Sequence, residues 1–361
     1  MTLPKQPNLK TPLTMTVETM RAMLLTGFGG PEKLVYRTDV AIPAPKPGEV
    51  LVQVGACGVN NTDIWTREGA YGADEQSGWQ GGSFQFPRIQ GADTVGRIVE
   101  VGHGVVKDRL GDRVMVNPAI YPAGNDALFQ ATYLGSEFDG GFAEYVCAPS
   151  VNAHAIESQL SDAQLATFMT SYLTAEHMLN RADVKVGETV LVTGASGGVG
   201  SALVQLALIR GASVVAVIGK GKESHLAEYG VAGVLFRDAP HLAVSLQQQT
   251  GRNTVDVVAD IVGGQSVATL LDLLRMGGRY VTAGAIAGAD VTLDWRKLYL
   301  KHLTLLGSTM GTQDEAKRIV AYVAAGKLKP LLSATYPLEQ LVQAQLDFKR
   351  KMYFGKLAIV F

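Results

Sequence analysis

The stretch that most constrains this chain runs from Val190 to Leu203 and reads Val-Leu-Val-Thr-Gly-Ala-Ser-Gly-Gly-Val-Gly-Ser-Ala-Leu. It opens with a short apolar run, passes through a turn of small residues, and continues with apolar residues at helical spacing. A strand that leads through glycines into a helix aims backbone N–H groups and the positive helix end at one point, which suits a pyrophosphate. Gly197 would leave room for phosphates, and Gly200 would let the helix lie close to the strand. Taken alone, the motif is equally compatible with an ordinary strand–helix turn.

The residues after this turn alternate between the periods of strands and helices. The predicted strands are 189–193, 213–218, 255–260 and 279–283, with predicted helices over 198–210, 223–229 and 265–275. This alternation predicts a doubly wound parallel sheet with helices on both faces. A further strand over 303–307 and a helix over 314–326 follow.

The first half of the chain is organised differently. Short runs typical of strands occur at 22–25, 50–54, 95–101 and 112–116, separated by Gly and Pro, which predicts a mainly antiparallel β domain. The terminal run 356–360 also predicts a strand, which would rejoin this domain and make it discontinuous.

Two long loops, 73–86 and 117–141, interrupt the first half and carry several aromatic residues. Their length favours a functional role and their aromatic content favours packing over disorder. We expect both loops to shape the substrate pocket, and we expect 73–86 to act as a substrate-side lid. The alternative for the loop 73–86 is a surface insertion or a subunit contact.

Composition excludes several classes of protein. The 361 residues suit two domains, and a formal net charge of −1 leaves no basic surface for nucleic acid or acidic lipid. Two cysteines cannot build a disulfide framework, residues 1–19 lack the apolar core of a signal peptide, and no apolar run is long enough to span a bilayer. These observations predict a cytoplasmic protein with a flexible extension over 1–19.

Five motifs together resemble the medium-chain dehydrogenase/reductase superfamily, namely the segments 58–63, 91–96, 111–114, 140–146 and 194–200. Within the superfamily, the chain resembles the zinc-free quinone oxidoreductase and zeta-crystallin branch. The resemblance implies a discontinuous GroES-like catalytic domain, a Rossmann coenzyme domain and a homodimer. It places the GroES-like domain at 20–168 and 313–361 and the Rossmann domain at 169–312.

The positions that bind catalytic zinc in zinc-dependent relatives hold other residues here. The resemblance places Asn60, Ala92 and Thr170 at these positions, and an amide, a methyl and a hydroxyl do not make a zinc site at neutral pH. The 117–141 loop also lacks the cysteines of the structural zinc lobe. Asp93 and Cys57 remain possible ligands, although a small buried residue is the simpler interpretation of Cys57. We therefore expect no metal.

The resemblance assigns the catalytic region to Asn60, Thr62, Asp63 and Tyr71. Asn60 would donate to substrate or ribose, Tyr71 would supply a phenol donor, and Asp63 would brace the loop. Thr62 departs from the quinone-reductase pattern, which has an apolar residue at this position, and is similar to the hydroxyl that alcohol dehydrogenases use in proton relay, so it would pass a proton to the product oxygen. Each residue has a plainer alternative: Asn60 only closes a turn, Thr62 satisfies the backbone, and Tyr71 belongs to the core.

The resemblance also implies a set of coenzyme-binding residues, most of which lie in turns that follow predicted strands. They are Thr174, Ala195, Ser196, Gly197, Gly198, Val199, Gly200, Gly219, Lys220, Lys222, Phe236 and Gly284.

The predicted strand 213–218 has no carboxylate at its end, where an acid would bond the ribose of NAD, and lysines follow at 220 and 222, which favours the 2′-phosphate of NADP(H). Two solvated surface lysines are the alternative. Ala195 stands where the first glycine of the motif is expected, which is tolerable if its φ angle stays negative.

These features predict an NADPH-dependent reductase of quinones or activated C=C bonds such as enones and enals. Without a Lewis acid an alcohol is hard to deprotonate, so an alcohol dehydrogenase is the less favoured enzyme. A protein that binds NADPH without turnover, as a sensor or structural component, is the rival from another class. The sequence does not identify the substrate.

Overall fold

A computed structural model describes residues 18–71, 84–122 and 130–361. Most of the predicted extension, most of the 73–86 loop and the middle of the 117–141 loop lie outside these residues. Of the extension, Glu18 and Thr19 are described, and Thr19 already begins the first strand. Within the described residues, no helix is long and apolar enough to cross a membrane.

The coenzyme half contains a six-stranded sheet in which all five pairings are parallel. Its strands are β11 (Thr189–Val192), β12 (Ser213–Ile218), β13 (Gly233–Phe236), β14 (Val255–Asp260), β15 (Leu274–Thr282) and β16 (Thr304–Gly307). The spatial order β13-β12-β11-β14-β15-β16 is the doubly wound order, with the first strand of the series at the point of reversal. This arrangement confirms the predicted Rossmann fold.

Helices cover this sheet. They are α3 (Met169–Arg181), α4 (Gly198–Ile209), α5 (Ser224–Ala227), α6 (Leu242–Thr250), α7 (Val267–Leu273), α8 (Trp295–Leu300) and α9 (Gln313–Ala324). The helix predicted over 265–275 is too long, because Leu274 already pairs with Val255 of β14. The helix predicted over 223–229 is reduced to α5. Helix α9 packs on α3 within the coenzyme-side core, although the predicted domain boundary places it in the other domain. The exact boundaries stay predictions.

The first half of the chain forms the mainly antiparallel domain. Its strands are β1 (Thr19–Leu25), β2 (Leu34–Ala41), β3 (Glu49–Gly58), β4 (Arg88–Ile89), β5 (Asp93–Val101), β6 (Arg113–Val116), β7 (Ala119–Ile120), β8 (Thr132–Tyr133), β9 (Tyr145–Pro149) and β10 (Ala153–Ala155). Its helices are α1 (Asn61–Arg67) and α2 (Asp162–Leu165).

The end of the chain returns to this domain. Strands β17 (Leu332–Pro337) and β18 (Lys356–Val360) flank the helix α10 (Leu341–Arg350). Strand β18 pairs antiparallel with β3 and parallel with β17, giving the order β10-β6-β5-β3-β18-β17, with β9 also on β3. The predicted discontinuity is therefore confirmed, and the first residue of β18 faces the region between the two domains.

Candidate active site

The glycine turn joins β11 to α4 with little space to spare. Gly194 adopts a φ angle of +57°, and a Cβ atom on Gly200 would lie 2.1 Å from the Gly194 carbonyl oxygen. Only glycine at 200 lets the helix approach the strand this closely. Ala195 lies outside the positive-φ region, as the sequence required for an alanine there. Gly197 precedes the first helical residue, so the open N–H groups of α4 begin at this turn.

The structure brings the predicted coenzyme residues to one edge of the parallel sheet. The residues from 195 to 200 follow β11, Gly219 follows β12, Phe236 ends β13 and Gly284 follows β15. Thr174 lies on α3, where its hydroxyl donates to the Thr170 carbonyl at 2.7 Å. The carboxyl ends of the strands at the reversal point are where ligands bind in folds of this kind.

Three cations lie beyond the end of β12. Lys220 is exposed, whereas the half-buried Lys222 ammonium donates to the carbonyls of Lys351 and Tyr353, both at 2.9 Å. Burial, and then the charge of Arg237, lower the pKa of Lys222. The Arg237 guanidinium lies beside Gly219, since a Cβ atom there would be 3.6 Å from its Cζ. The sequence analysis assigned Phe236 to the coenzyme site but not Arg237. No sequence signal pointed to Arg237, because the strand it follows, β13, is recognised only by its pairing with β12.

Three of the four predicted catalytic residues, Asn60, Thr62 and Asp63, lie at the start of α1. Asn60 precedes the helix, and its backbone N–H donates to the Asp63 carboxylate at 2.7 Å. This bond ties Asn60 to the first turn of α1. Burial raises the pKa of Asp63 to about 7, a rise that the Asn60 N–H and the charge of Lys356 partly oppose. Thr62 is half-buried in the first turn, and its hydroxyl makes no hydrogen bond with the part of the chain that the structure describes.

A buried ionic cluster, formed by Asn60, Asp93, Thr170 and Lys356, joins the two domains. The Lys356 ammonium donates to the Asn60 side-chain oxygen at 2.7 Å and forms an ion pair with the Asp93 carboxylate. The same carboxylate accepts the Asn60 NH₂ at 3.0 Å and the Thr170 backbone N–H at 2.6 Å. Asn60 is thus held on both sides of its amide.

Sequence reasoning missed Lys356. The signal that could have found it was a single lysine opening the otherwise apolar terminal strand. Lys356 is 3% exposed and Asp93 1% exposed. Charges this deeply buried are rare unless they are paired. The ionic cluster therefore depends on a residue that no local motif in the first domain contains.

The residues present do not fit a zinc ion. Of the two remaining candidate ligands, Cys57 is fully buried, and burial raises the pKa of its thiol well above the ordinary range. Asp93 is already neutralised by Lys356. Among residues 18–71, 84–122 and 130–361, no group of three or more His, Cys, Asp and Glu side chains could hold a metal ion.

Tyr71 closes the segment that follows α1. Its ring meets Trp65 edge-on, with 5.5 Å between the ring centres, and burial raises its pKa to about 12. The hydroxyl is therefore protonated at neutral pH and can donate a hydrogen bond. Asn60 directly precedes α1, and Tyr71 lies just after the end of that helix.

The described ends of the two long loops pack as their aromatic content suggested. Phe84 and Phe86 contact each other and Phe28. Tyr121 donates to the carbonyl of Gly311, and Asn117 donates to Gln313 at 3.2 Å, so the second loop contacts the first residue of α9 and the segment before it. The remainder of the proposed lid lies outside the described residues.

Comparison with known proteins identifies the family. The chain matches the alcohol dehydrogenase GroES-like domain over residues 46–158 and the zinc-binding dehydrogenase family over residues 198–325. It is 30% identical to the quinone oxidoreductase of Homo sapiens, over 90% of this chain and 92% of that protein. It is also 30% identical to an NAD-dependent alcohol dehydrogenase of Sulfurisphaera tokodaii, over 94% and 100% of the two chains.

A solved structure extends the likeness. A crystal structure from Sinorhizobium meliloti 1021, provisionally assigned as an alcohol dehydrogenase, has a TM-score of 0.90 and 50% identity, covering 95% of this chain and 96% of that one. The two-domain architecture, the glycine turn and the sequence identity all indicate the same family. The chain belongs to the medium-chain dehydrogenase/reductase superfamily and has the fold of an oxidoreductase that uses a pyridine nucleotide.

Proposed function

We propose that the protein is an NADPH-dependent reductase that transfers hydride to a quinone or to an activated C=C bond, without a metal. The observation that carries this proposal is the ionic cluster: where zinc-dependent relatives would bind their ion, an internal ammonium neutralises Asp93 and holds Asn60. A site of this kind does not acidify an alcohol as zinc would. It can accommodate an acceptor that becomes anionic as hydride arrives.

The residues present fit NADP(H). The N–H groups at the start of α4 suit the pyrophosphate, and Arg237 with Lys222 would face the 2′-phosphate beyond β12. When bound, the coenzyme supplies the hydride. The chain supplies orientation and hydrogen-bond donors around the acceptor.

Two hydroxyl groups are proposed to act on the acceptor oxygen. Thr62 has a hydroxyl available in the first turn of α1, and Tyr71 keeps its proton at neutral pH. Asn60 is a less direct candidate than the sequence suggested, since its NH₂ already donates to Asp93. We therefore assign Asn60 to the frame of the site and the donor role to Thr62 and Tyr71.

The alternative enzyme is an alcohol dehydrogenase, which the Sulfurisphaera relative favours. A protein that only binds NADPH is the third candidate. We further propose a cytoplasmic homodimer. An open edge at β16 and exposed apolar side chains on the adjacent α8, including Trp295, support pairing of two copies.

The proposal is tested by measuring NADPH oxidation with quinones, enones, enals and enoyl thioesters, before and after chelator treatment and zinc analysis. We expect turnover with at least one of these acceptors, zinc below one equivalent, and no change on chelation. Alcohol oxidation with NAD⁺ and NADP⁺ is the matched assay. Stoichiometric zinc whose removal abolishes turnover would refute the metal-free mechanism. Faster alcohol oxidation would favour the alternative enzyme, and tight NADPH binding without any turnover would favour the sensor.

A further inference from the structure

The segment between β16 and α9, residues 308–312, lies at the edge of the sheet that carries the predicted coenzyme residues. It follows the carboxyl end of β16, and the sheet pairings are all parallel, so it starts at the same edge as the glycine turn. The Ser308 N–H donates to the carbonyl of Thr282 at 2.8 Å, two residues before Gly284. The segment therefore begins next to a predicted coenzyme residue.

Helix α3 contacts this segment on one side, through the side chain of Met310. The Met310 sulfur lies 3.3 Å from the hydroxyl oxygen of Thr174. Thr170 lies four positions earlier, on the same face of the helix. Its backbone N–H donates to Asp93 in the ionic cluster at 2.6 Å. The Met310 sulfur therefore contacts α3 one turn beyond the ionic cluster.

The first domain contacts the segment on another side, through two tyrosines of one β ribbon. Tyr121 follows β7 directly, and its hydroxyl donates to the carbonyl of Gly311. Tyr133 ends β8, which pairs with β7, and its hydroxyl is hydrogen-bonded to the side chain of Thr309. The residues on both sides of Met310 are thus tied to the first domain, and the segment lies between the two domains.

Met310 is the apolar residue of this segment, whose other members are Ser308, Thr309, Gly311 and Thr312. It is half-buried, with part of its side chain packed on the coenzyme-side core and part accessible. Methionine is unbranched and polarisable, so it adapts its shape to a ligand. Small-molecule sites combine apolar side chains of this kind with a few polar groups. The segment therefore offers an acceptor an adaptable apolar contact near the ionic cluster.

We propose that Met310 is a specificity-determining residue that favours a planar cyclic acceptor, a quinone, over a short acyclic enal. The inference rests on the proposed function and names the acceptor class within it. A quinone has a flat ring that can cover the Met310 side chain while a carbonyl oxygen of the ring faces a hydroxyl donor. A short enal has too little apolar surface to make the same contact. Met310 therefore improves the binding of the first acceptor and leaves the second unaffected.

The test compares Met310→Ala with wild type, using NADPH with menadione as the quinone and crotonaldehyde as the enal. Wild type is expected to have the higher kcat/KM with menadione. In the variant, kcat/KM with menadione should fall by about tenfold, the lower end for apolar groups removed from a pocket. The fall should appear mainly in KM, because the apolar contact is present both before and during hydride transfer. The kcat/KM with crotonaldehyde and the Kd for NADPH should stay within about twofold.

Three further variants separate the apolar contact from packing. Met310→Leu keeps the apolar volume and should retain most of the preference for menadione. Met310→Gln keeps the unbranched shape but ends in a polar amide, so it should lose the preference as Met310→Ala does. Met276→Ala, which truncates an exposed methionine of β15, is the matched control and should behave as wild type.

Several results would overturn the inference. An equal fall with both acceptors, or an unchanged ratio of the two kcat/KM values in a less stable variant, would reduce Met310 to a packing residue. A raised Kd for NADPH with an unchanged ratio would make Met310 a coenzyme contact. If Met310→Ala does not fold, Met310→Gln and Met310→Leu decide, and equal ratios in these two refute the proposal.

The same measurements distinguish this inference from the proposed function. If wild type prefers crotonaldehyde to menadione, the acceptor class is wrong while the reductase activity stands. If wild type reduces neither these two nor any other quinone, enone, enal or enoyl thioester, the proposed function fails, and the inference about Met310 fails with it.

Discussion

The candidate site has two halves that are built in different ways. At the glycine turn, consecutive residues shape the backbone, and the site consists largely of N–H groups and empty space. In the ionic cluster, four side chains or backbone groups come from β3–α1, β5, α3 and β18, and Asp93 is 263 positions from Lys356. The first half is a local property of the chain, and the second exists only in the completed fold. Mutations should therefore affect the two halves differently, by sterics in one and by charge in the other.

The largest effect should come from Gly200→Ala, because the new Cβ would meet the carbonyl oxygen of Gly194 at 2.1 Å and neither backbone can yield easily. We expect a loss of about 3 kcal/mol in the free energy of unfolding, the upper end for overpacking. Coenzyme binding should be lost as well. Urea unfolding and NADPH titration would measure the two effects.

Gly197→Ala, in the same turn, is the matched comparison for Gly200→Ala. A Cβ there would lie 3.5 Å from the Gly194 oxygen, an ordinary contact, so stability should change by less than about 0.5 kcal/mol. The Kd for NADPH should still rise by about tenfold, because the new methyl group would occupy room that Gly197 leaves for the phosphates. This is the effect of losing one hydrogen bond to a charged group. Equal stability losses in the two variants would contradict the steric account.

The stability of the protein should depend on pH through Asp63, which accepts a hydrogen bond from Asn60 beside the ionic cluster. Burial raises the pKa of Asp63 from an ordinary value of 3.8 to about 7, so between these values the folded state holds a proton that the unfolded state releases. The free energy of unfolding should therefore fall as the pH rises from 5 to 7, by up to about 1.4 kcal/mol per pH unit from this group. Above pH 7 its contribution levels off.

Urea unfolding of Asp63→Asn across pH 5 to 8 would test this dependence. The variant should lack the part of the slope that Asp63 contributes. Asp39→Asn, at an exposed carboxylate, is the control and should keep the wild-type slope between pH 5 and 7. A wild type whose stability rises over this interval, with the rise absent in Asp63→Asn, would mean that the carboxylate is stabilised as an anion instead.

The proposed preference for NADPH should depend on the cations beyond β12. Arg237→Gln should raise the Kd for NADPH by about tenfold or more and leave NADH unchanged, since one charge-assisted contact is worth roughly 1.5–3 kcal/mol. Lys222→Met should weaken both coenzymes slightly in addition, because its ammonium also ties Lys351 and Tyr353. Lys220→Met is the exposed control. Equal losses for the two coenzymes in Arg237→Gln would exclude a 2′-phosphate contact.

The smallest effect is expected from Tyr71→Phe. Loss of one neutral hydrogen bond, worth about 1 kcal/mol, should lower kcat by about fivefold. Because the pKa of Tyr71 is raised to about 12, the ratio of the two kcat values should be constant from pH 6 to 9. A ratio that changes across this range would show that the phenol titrates in the working enzyme.

The contrast also explains what the sequence could reveal. Strands β11, β12 and β14 and the helix α4 were predicted from periodicity, and the strand order confirmed the Rossmann fold. Strand β13, only four residues long, was missed, because its extended conformation depends on pairing with β12. Helices α6, α8 and α10 were overlooked, although α10 has a buried face that packs on β18.

The site shows the same division. The residues of the glycine turn could be assigned because adjacent positions carry the geometry. The partner of Asp93 could not be assigned, because no spacing rule connects β5 to a lysine on β18. The sequence marked Asn60 as a candidate but did not predict the helix α1 that it precedes, and its hydrogen bond from Lys356 became visible only in three dimensions.

The return of β18 to β3 has a consequence for the order of folding. The coenzyme half is stabilised by contacts close in sequence, whereas the sheet of the first half waits for a strand that follows the entire coenzyme half. Long-range pairings of this kind form slowly, because the intervening chain must be closed first. A partly folded chain in which β18 is not yet paired would already contain the glycine turn. It would still lack Lys356 as the counter-ion of Asp93. Nucleotide binding and the proposed reductase activity should therefore emerge at different times during refolding, with binding first.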